Sequence, residues 1–248
     1  MIENNLHTSV RNVKKLAVMI ALTGVLAGCD NASGPLSFTP EMASFSNEFD
    51  FDPLRGPVKD FTQTLFNEKG EVSKRVTGSL SQEGCFDTLE LHDLDANTGV
   101  ALVLEANFYV DAETQQQKIK LQGKCQLAEL PAAGVTWDTD DNGFIVTAHG
   151  KAMEVNYRYD ADGYPLGKTT VSGDQHLSVS ATPSKDKRKK LDYSAISLLN
   201  DKPLGTVKQS CDYDRHDNPV TCELQIKDDS AKPAVEHKYT IKNSIEYY

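Results

Sequence analysis

Met153-Glu154-Val155-Asn156-Tyr157-Arg158-Tyr159-Asp160-Ala161-Asp162-Gly163 is the stretch that decides how the chain folds. Met153, Val155, Tyr157 and Tyr159 alternate with Glu154, Asn156 and Arg158, a period of two that belongs to a strand with one buried and one wet face. Asp160 and Gly163 then stand first and fourth in a four-residue run, which is type I turn chemistry with glycine free to take positive φ. Asn67-Glu68-Lys69-Gly70 and Asp140-Asp141-Asn142-Gly143 repeat that turn, and Asn97-Thr98-Gly99 and Ser172-Gly173-Asp174 add two more turn signals. The alternation returns in Cys211 and Tyr213, in Cys222, Leu224 and Ile226, and in Tyr239, Ile241 and Asn243. Short strands, frequent turns and no long stretch of period 3.6 predict an all-β fold, an antiparallel meander of hairpins. A curved sheet, a sandwich and an open barrel all satisfy this pattern. The weakest region is Tyr193 to Asn200, where Ala195, Leu198 and Leu199 fit a helical turn.

The chain has 248 residues, 39% hydrophobic and 25% charged, enough for one large domain or two small ones and too polar for several membrane-spanning helices. Twenty-six Lys and Arg against 36 Asp and Glu leave a net charge of -10. A general nucleic-acid binder must neutralise phosphates, so no nucleic acid is expected as a partner.

Upstream of the strands, Arg11, Lys14 and Lys15 precede an apolar run from Leu16 to Leu26, the basic head and hydrophobic middle of a secretory signal. The run is shorter than the roughly 20 residues that a spanning helix needs. Leu26-Ala27-Gly28-Cys29 resembles the lipobox of bacterial lipoproteins, so residues 1–28 read as a signal peptide. Cys29 reads as the lipidation site, with S-diacylglycerol and N-acyl groups. Several acyl chains give lasting membrane attachment, since each buried CH₂ contributes about 0.8 kcal/mol. Asp30 and Asn31 follow, a pair that goes with retention at the inner membrane in the lipoproteins this one resembles. Met1 to Asn12 carries Glu3 and makes a poor signal head, whereas Val13-Lys14-Lys15 makes a more usual beginning.

Residues 29–57 read as a lipid-anchored segment that is loop-like, with Pro35, Pro40, Pro53 and Pro57. Phe38, Phe45, Phe49 and Phe51 are too many aromatics for a free tether and predict partial docking on the domain. Residues 58–248 read as a single β domain. Cys85, Cys125, Cys211 and Cys222 are an even set in an oxidising compartment and predict two disulfides. Three pairings exist. A hairpin with Arg215 to Asn218 as its loop sets Cys211 opposite Cys222, which leaves Cys85 for Cys125.

Several partial motifs fail on inspection. Asp138-Thr139-Asp140-Asp141-Asn142-Gly143 begins like a calcium loop, but His149 stands where the bidentate Glu should be. Gly163 to Thr169 lacks the P-loop spacing, and Ser184-Lys185-Asp186-Lys187 satisfies S-x-x-K inside a charge run. Lys185, Lys187, Arg188, Lys189 and Lys190 form the one basic cluster, a solvated loop or a face for anionic lipid. His92, His149, His176, His216 and His237 are scattered, without metal-ligand spacing. No catalytic residue, cofactor or metal ligand is nominated.

The stretches Leu36 to Leu65 (LSFTPEMASFSNEFDFDPLRGPVKDFTQTL), KCQLAEL from Lys124, TDDNGF from Thr139, GYPLGKT from Gly163 and KQSC from Lys208 are long, specific words. On these the chain resembles the YnfC-like family of enterobacterial lipoproteins, although the residues before Lys14 depart from it. The resemblance implies a lipid anchor at Cys29 and attachment to the cell membrane, and carries no catalytic residues. The expected protein is a periplasm-facing, inner-membrane lipoprotein acting as a non-enzymatic binding module. Its expected partners are the membrane, through the lipid, and an envelope protein reached through a strand edge or the Phe38 to Phe51 segment. The alternatives are an envelope hydrolase using carboxylates or His149, and a weak calcium-binding module.

Overall fold

A computed structural model describes residues 36–248. Cys29, Asp30 and Asn31 lie outside the described residues.

Every strand pairs antiparallel with its neighbour in sequence, and the first also pairs with the last. The meander therefore closes into a barrel of sixteen strands among the described residues. The open alternatives are thereby settled: β1 (Val58–Phe66) runs in register with β16 (Val235–Tyr247), Phe61 facing Ile245 and Leu65 facing Ile241. The predicted turns fall where expected. Gly70, Gly143 and Gly163 each donate a backbone N–H to the Asn or Asp three residues earlier, at φ of 79°, 88° and 78°. Tyr193–Leu199 is not a helical turn but a strand, β13, paired along its length with β12 (Gln175–Pro183) and β14 (Lys202–Tyr213). Ala195 faces inward there, while Ile196 is left exposed on the outer face.

The two faces of the wall differ sharply. On β10 (Met153–Tyr159), Val155 and Tyr157 are buried, while Glu154, Asn156 and Arg158 face solvent. On β15 (Pro219–Asp228), Cys222 and Leu224 are buried, while Glu223, Gln225 and Lys227 are exposed. On β6 (Gln117–Gln122), Ile119 and Leu121 point in, and Lys120 and Gln122 point out. This is the reverse of a lipid-embedded barrel, whose outer face is an apolar band.

A ring of sixteen strands is too wide for wall side chains to fill. The chain fills much of it with its own N-terminal segment. Pro40–Phe49 forms a helix, α1, where the sequence reads as loop. Thr39 caps it, its hydroxyl accepting from the Met42 N–H at 3.2 Å, with proline in the first turn, Glu41 near the N-terminus and Asp50 in the left-handed conformation at the end. Glu41 through Asn47 are all buried, so the helix is enclosed on every side. Phe45 stacks on Phe86 at 4.7 Å and meets Tyr109 edge-on at 5.7 Å. Phe51 stacks on Phe61. These rings, with Leu89, Leu127, Trp137 and Ile145 from the wall, make the main core.

The plug enters and leaves at one end. Phe38 donates its N–H to the Asp162 carbonyl, and its ring lies 4.4 Å under the Arg55 guanidinium. Asn218 clamps the returning chain, accepting from Arg55 N at 2.7 Å and donating to Arg55 O at 2.9 Å. Disulfides join Cys85 to Cys125 and Cys211 to Cys222, the latter directly across the β14–β15 ladder. In the chain-entropy view, cross-links over loops of this size stabilise by about 3 to 4 kcal/mol each.

Candidate functional site: a half-filled lumen

The plug packs most fully against the side of the wall that carries Leu89, Leu127, Trp137 and Ile145, and leaves part of the lumen hollow on the other. Between the plug and the wall formed by β11 (Pro165–Ser172) to β16, with β1 and β2 (Val72–Leu80), lies a cavity of about 320 Å³. Its wall is aliphatic, with Val76, Val179, Ala181, Val207, Leu224 and Ile241 at positions in phase with the inward face of their strands. Away from the plugged end the wall is more open to solvent: Leu177 on β12 is 37% exposed, whereas Leu191 and Asn218 at the plugged end are 1% exposed.

One side of this apolar chamber is polar. Asp52, on the chain returning from α1, is held by two glutamines of the wall, three strands apart on the ring. Gln63 of β1 donates to the Asp52 carbonyl at 2.7 Å and accepts its N–H at 3.0 Å. Gln209 of β14 donates to the Asp52 carboxylate at 3.0 Å. Gln63 is 6% exposed and Gln209 2%. The Gln209 Oε1 is buried and has no hydrogen-bond partner among the described residues. Burial pushes the Asp52 carboxyl up to about 6, against the lowering effects of the Gln209 hydrogen bond and of Lys74.

Two lysines reach the same region and are already engaged. Lys74 of β2 donates to the Phe49 and Asp50 carbonyls at 3.3 and 2.7 Å. Lys168 of β11 (Pro165–Ser172) donates to the Asn47 carbonyl at 2.9 Å and to Asp50 at 3.0 Å. Both ammonium groups thus sit on the C-terminal carbonyls of α1, where the helix dipole is negative. Desolvation lowers the Lys74 ammonium from its ordinary value. Asp52 is left with amide contacts and no salt-bridged cation among the described residues.

The residues singled out from sequence lie elsewhere. Asp140 closes its own turn, its carboxylate accepting from Asn142 N and Phe144 N. His149 sits on the outer face of β9 (Ile145–Gly150), 3.0 Å from Asp138 and 3.7 Å from Glu154, exposed and outside the chamber. The basic cluster is pinned at the plugged end, Lys187 to Asp162 and Lys190 to Asp160 and Asp162. Phe38, Phe45 and Phe51 face the barrel interior, and closure leaves no free strand edge on the ring, so neither docking route expected from sequence is exposed. The chamber's polar residues did carry one signal. Gln63 lies between Phe61 and Leu65, and Gln209 between Val207 and Cys211, so each is a polar residue at an inward phase.

A closed antiparallel barrel with a water-facing outer wall, an internal helical plug and a partly hollow lumen defines a class of lumenal-cavity barrel. The chain belongs to the uncharacterised protein family UPF0257, whose model matches residues 13–248. Relatives named UPF0257 lipoprotein YnfC, from Salmonella dublin and Salmonella typhi, are 67% and 66% identical over 236 residues. The alignments cover 95% of this chain and all of each relative. Among solved structures, a porin-like protein from Bacteroides uniformis matches with a TM-score of 0.49 and 10% identity, over 78% of this chain and 99% of that one.

Proposed function

We propose that this protein is a membrane-tethered, non-enzymatic binding module that holds a small, largely apolar molecule in its lumen on the periplasmic side of the inner membrane. The observation that carries the reading is the aliphatic chamber with a buried, unsatisfied Gln209 oxygen on its wall. Pockets for small molecules are of this kind: mostly apolar, with a few placed polar groups. The name of the relatives supports lipidation at Cys29, and Asp30 with Asn31 supplies the retention signal. Six residues lie between Cys29 and Leu36, so the tether can reach about 25 Å at full extension.

Binding is tested by titrating the water-soluble Cys29→Ser protein with the neutral fluorophore N-phenyl-1-naphthylamine. Saturable one-to-one binding, lost when Ala181→Phe fills the chamber, is expected; binding indifferent to Ala181→Phe rejects the lumen as the site. Addressing is tested by membrane fractionation, where Asp30→Ser should shift the wild-type protein from inner to outer membrane. An unshifted distribution removes Asp30 from that role.

A further inference from the structure

Resting on the lumenal-binding reading, we infer that the chamber selects an aliphatic primary amine, its ammonium group seated between the Asp52 carboxylate and the Gln209 side-chain oxygen. Unfilled valences in the chamber wall point to that head group. A carboxylate accepts hydrogen bonds at two oxygens, and the Asp52 carboxylate receives one, from Gln209 Nε2. The amide that donates that bond leaves its own oxygen buried and unpartnered, 2% exposed for the whole residue. Two acceptors therefore line the same chamber, and the Gln209 amide nitrogen is already engaged, by the Asp52 carboxylate and by the Cys211 sulfur at 3.7 Å. A ligand head that only accepts, such as a carboxylate or phosphate, would face like groups at this spot and leave the Gln209 oxygen unsatisfied.

Charge points the same way. Asp52 lies beside Lys74, but that ammonium is committed to the carbonyl end of α1, as is Lys168. Asp50 shares Lys168, and the remaining ionisable groups near Asp52, Tyr164, Tyr193 and Tyr213, are phenols that burial holds neutral. The ionised Asp52 thus adds a negative charge to a low-dielectric chamber that the nearby cations do not close. An ammonium group supplies both the missing charge and three donors, and Val179, Val207 and Ile241 receive the alkyl chain.

The experiment is isothermal titration calorimetry of the Cys29→Ser protein at neutral pH with octylamine, octanol and octanoate, three ligands alike in chain and different in head. Octylamine should bind about tenfold or more tightly than either of the others, as one charge-assisted contact provides. Asp52→Asn should bring octylamine down to the level of octanol while leaving octanol unchanged, which also certifies that the variant is folded. Gln209→Leu should weaken octylamine in the same sense. Octanol or octanoate binding as well as octylamine overturns the amine assignment and leaves the lumenal site standing. Failure of all three to bind overturns both.

Discussion

Asp52 concentrates the energetics of the chamber in one proton. Its carboxyl is raised from 3.8 to about 6 by burial, so the folded chain holds that proton more tightly than the unfolded chain does. The sign follows from linkage. This group contributes most to stability below about pH 4, and its contribution falls as pH rises through 6, by about 3 kcal/mol in all, since each tenfold change in proton affinity is worth about 1.4 kcal/mol. Asp162 runs the other way. Lys187 lowers its carboxyl, so its contribution is present at neutral pH and lost on acidification. The Asp52 effect is therefore read as a difference. Asp52→Asn should gain stability relative to the parent between pH 4 and 7, measured by urea denaturation, and a pH-independent difference would remove Asp52 from that account. Residue-level legibility was poor here, because acidic residues are common in the chain and only the distant Gln63 and Gln209 mark this one as buried.

The helix α1 was hidden for a physical reason. A surface helix shows a stripe of apolar residues every three or four positions, whereas a helix surrounded by protein has no wet face and so no stripe. Pro-Glu-Met-Ala-Ser-Phe-Ser-Asn-Glu-Phe mixes small polar and aromatic residues on all sides, and two of its polar side chains find partners in the wall. Ser44 accepts from Ile145 N, and Glu48 accepts from the Tyr157 hydroxyl. The strands were legible because their outer faces are wet, which is what makes a period of two visible. β13 hides its period because Ile196 and Leu198, on the solvent side, break the alternation of Ala195, Ser197 and Leu199. The plug's role yields a prediction at its own level. Phe45 is 1% exposed against Phe49, Phe86 and Tyr109, so Phe45→Ala should cost about 3 to 5 kcal/mol in denaturant unfolding. A loss below 1 kcal/mol would mean that the plug is not part of the cooperative core.

At the level of the whole molecule, sequence periodicity gives neighbouring pairs and cannot give closure, since nothing local in β1 announces β16. That seam also shapes how the protein comes together in time. Every other pairing joins strands adjacent along the chain, as in β14 with β15, while Lys59 and Glu246 meet across 187 positions. Local hairpins assemble at small entropic cost, and the distant contact comes at the largest loop cost. Ile245→Ala on the seam should therefore speed unfolding and leave refolding nearly unchanged in stopped-flow kinetics, with Val155→Ala as the hairpin comparison. A refolding rate slowed as much by Ile245→Ala would show that the ring seals early. Until it seals, two raw edges of backbone face outward, open to any passing strand. A chain of this design is safe from its neighbours only when its last strand has arrived to lock its first.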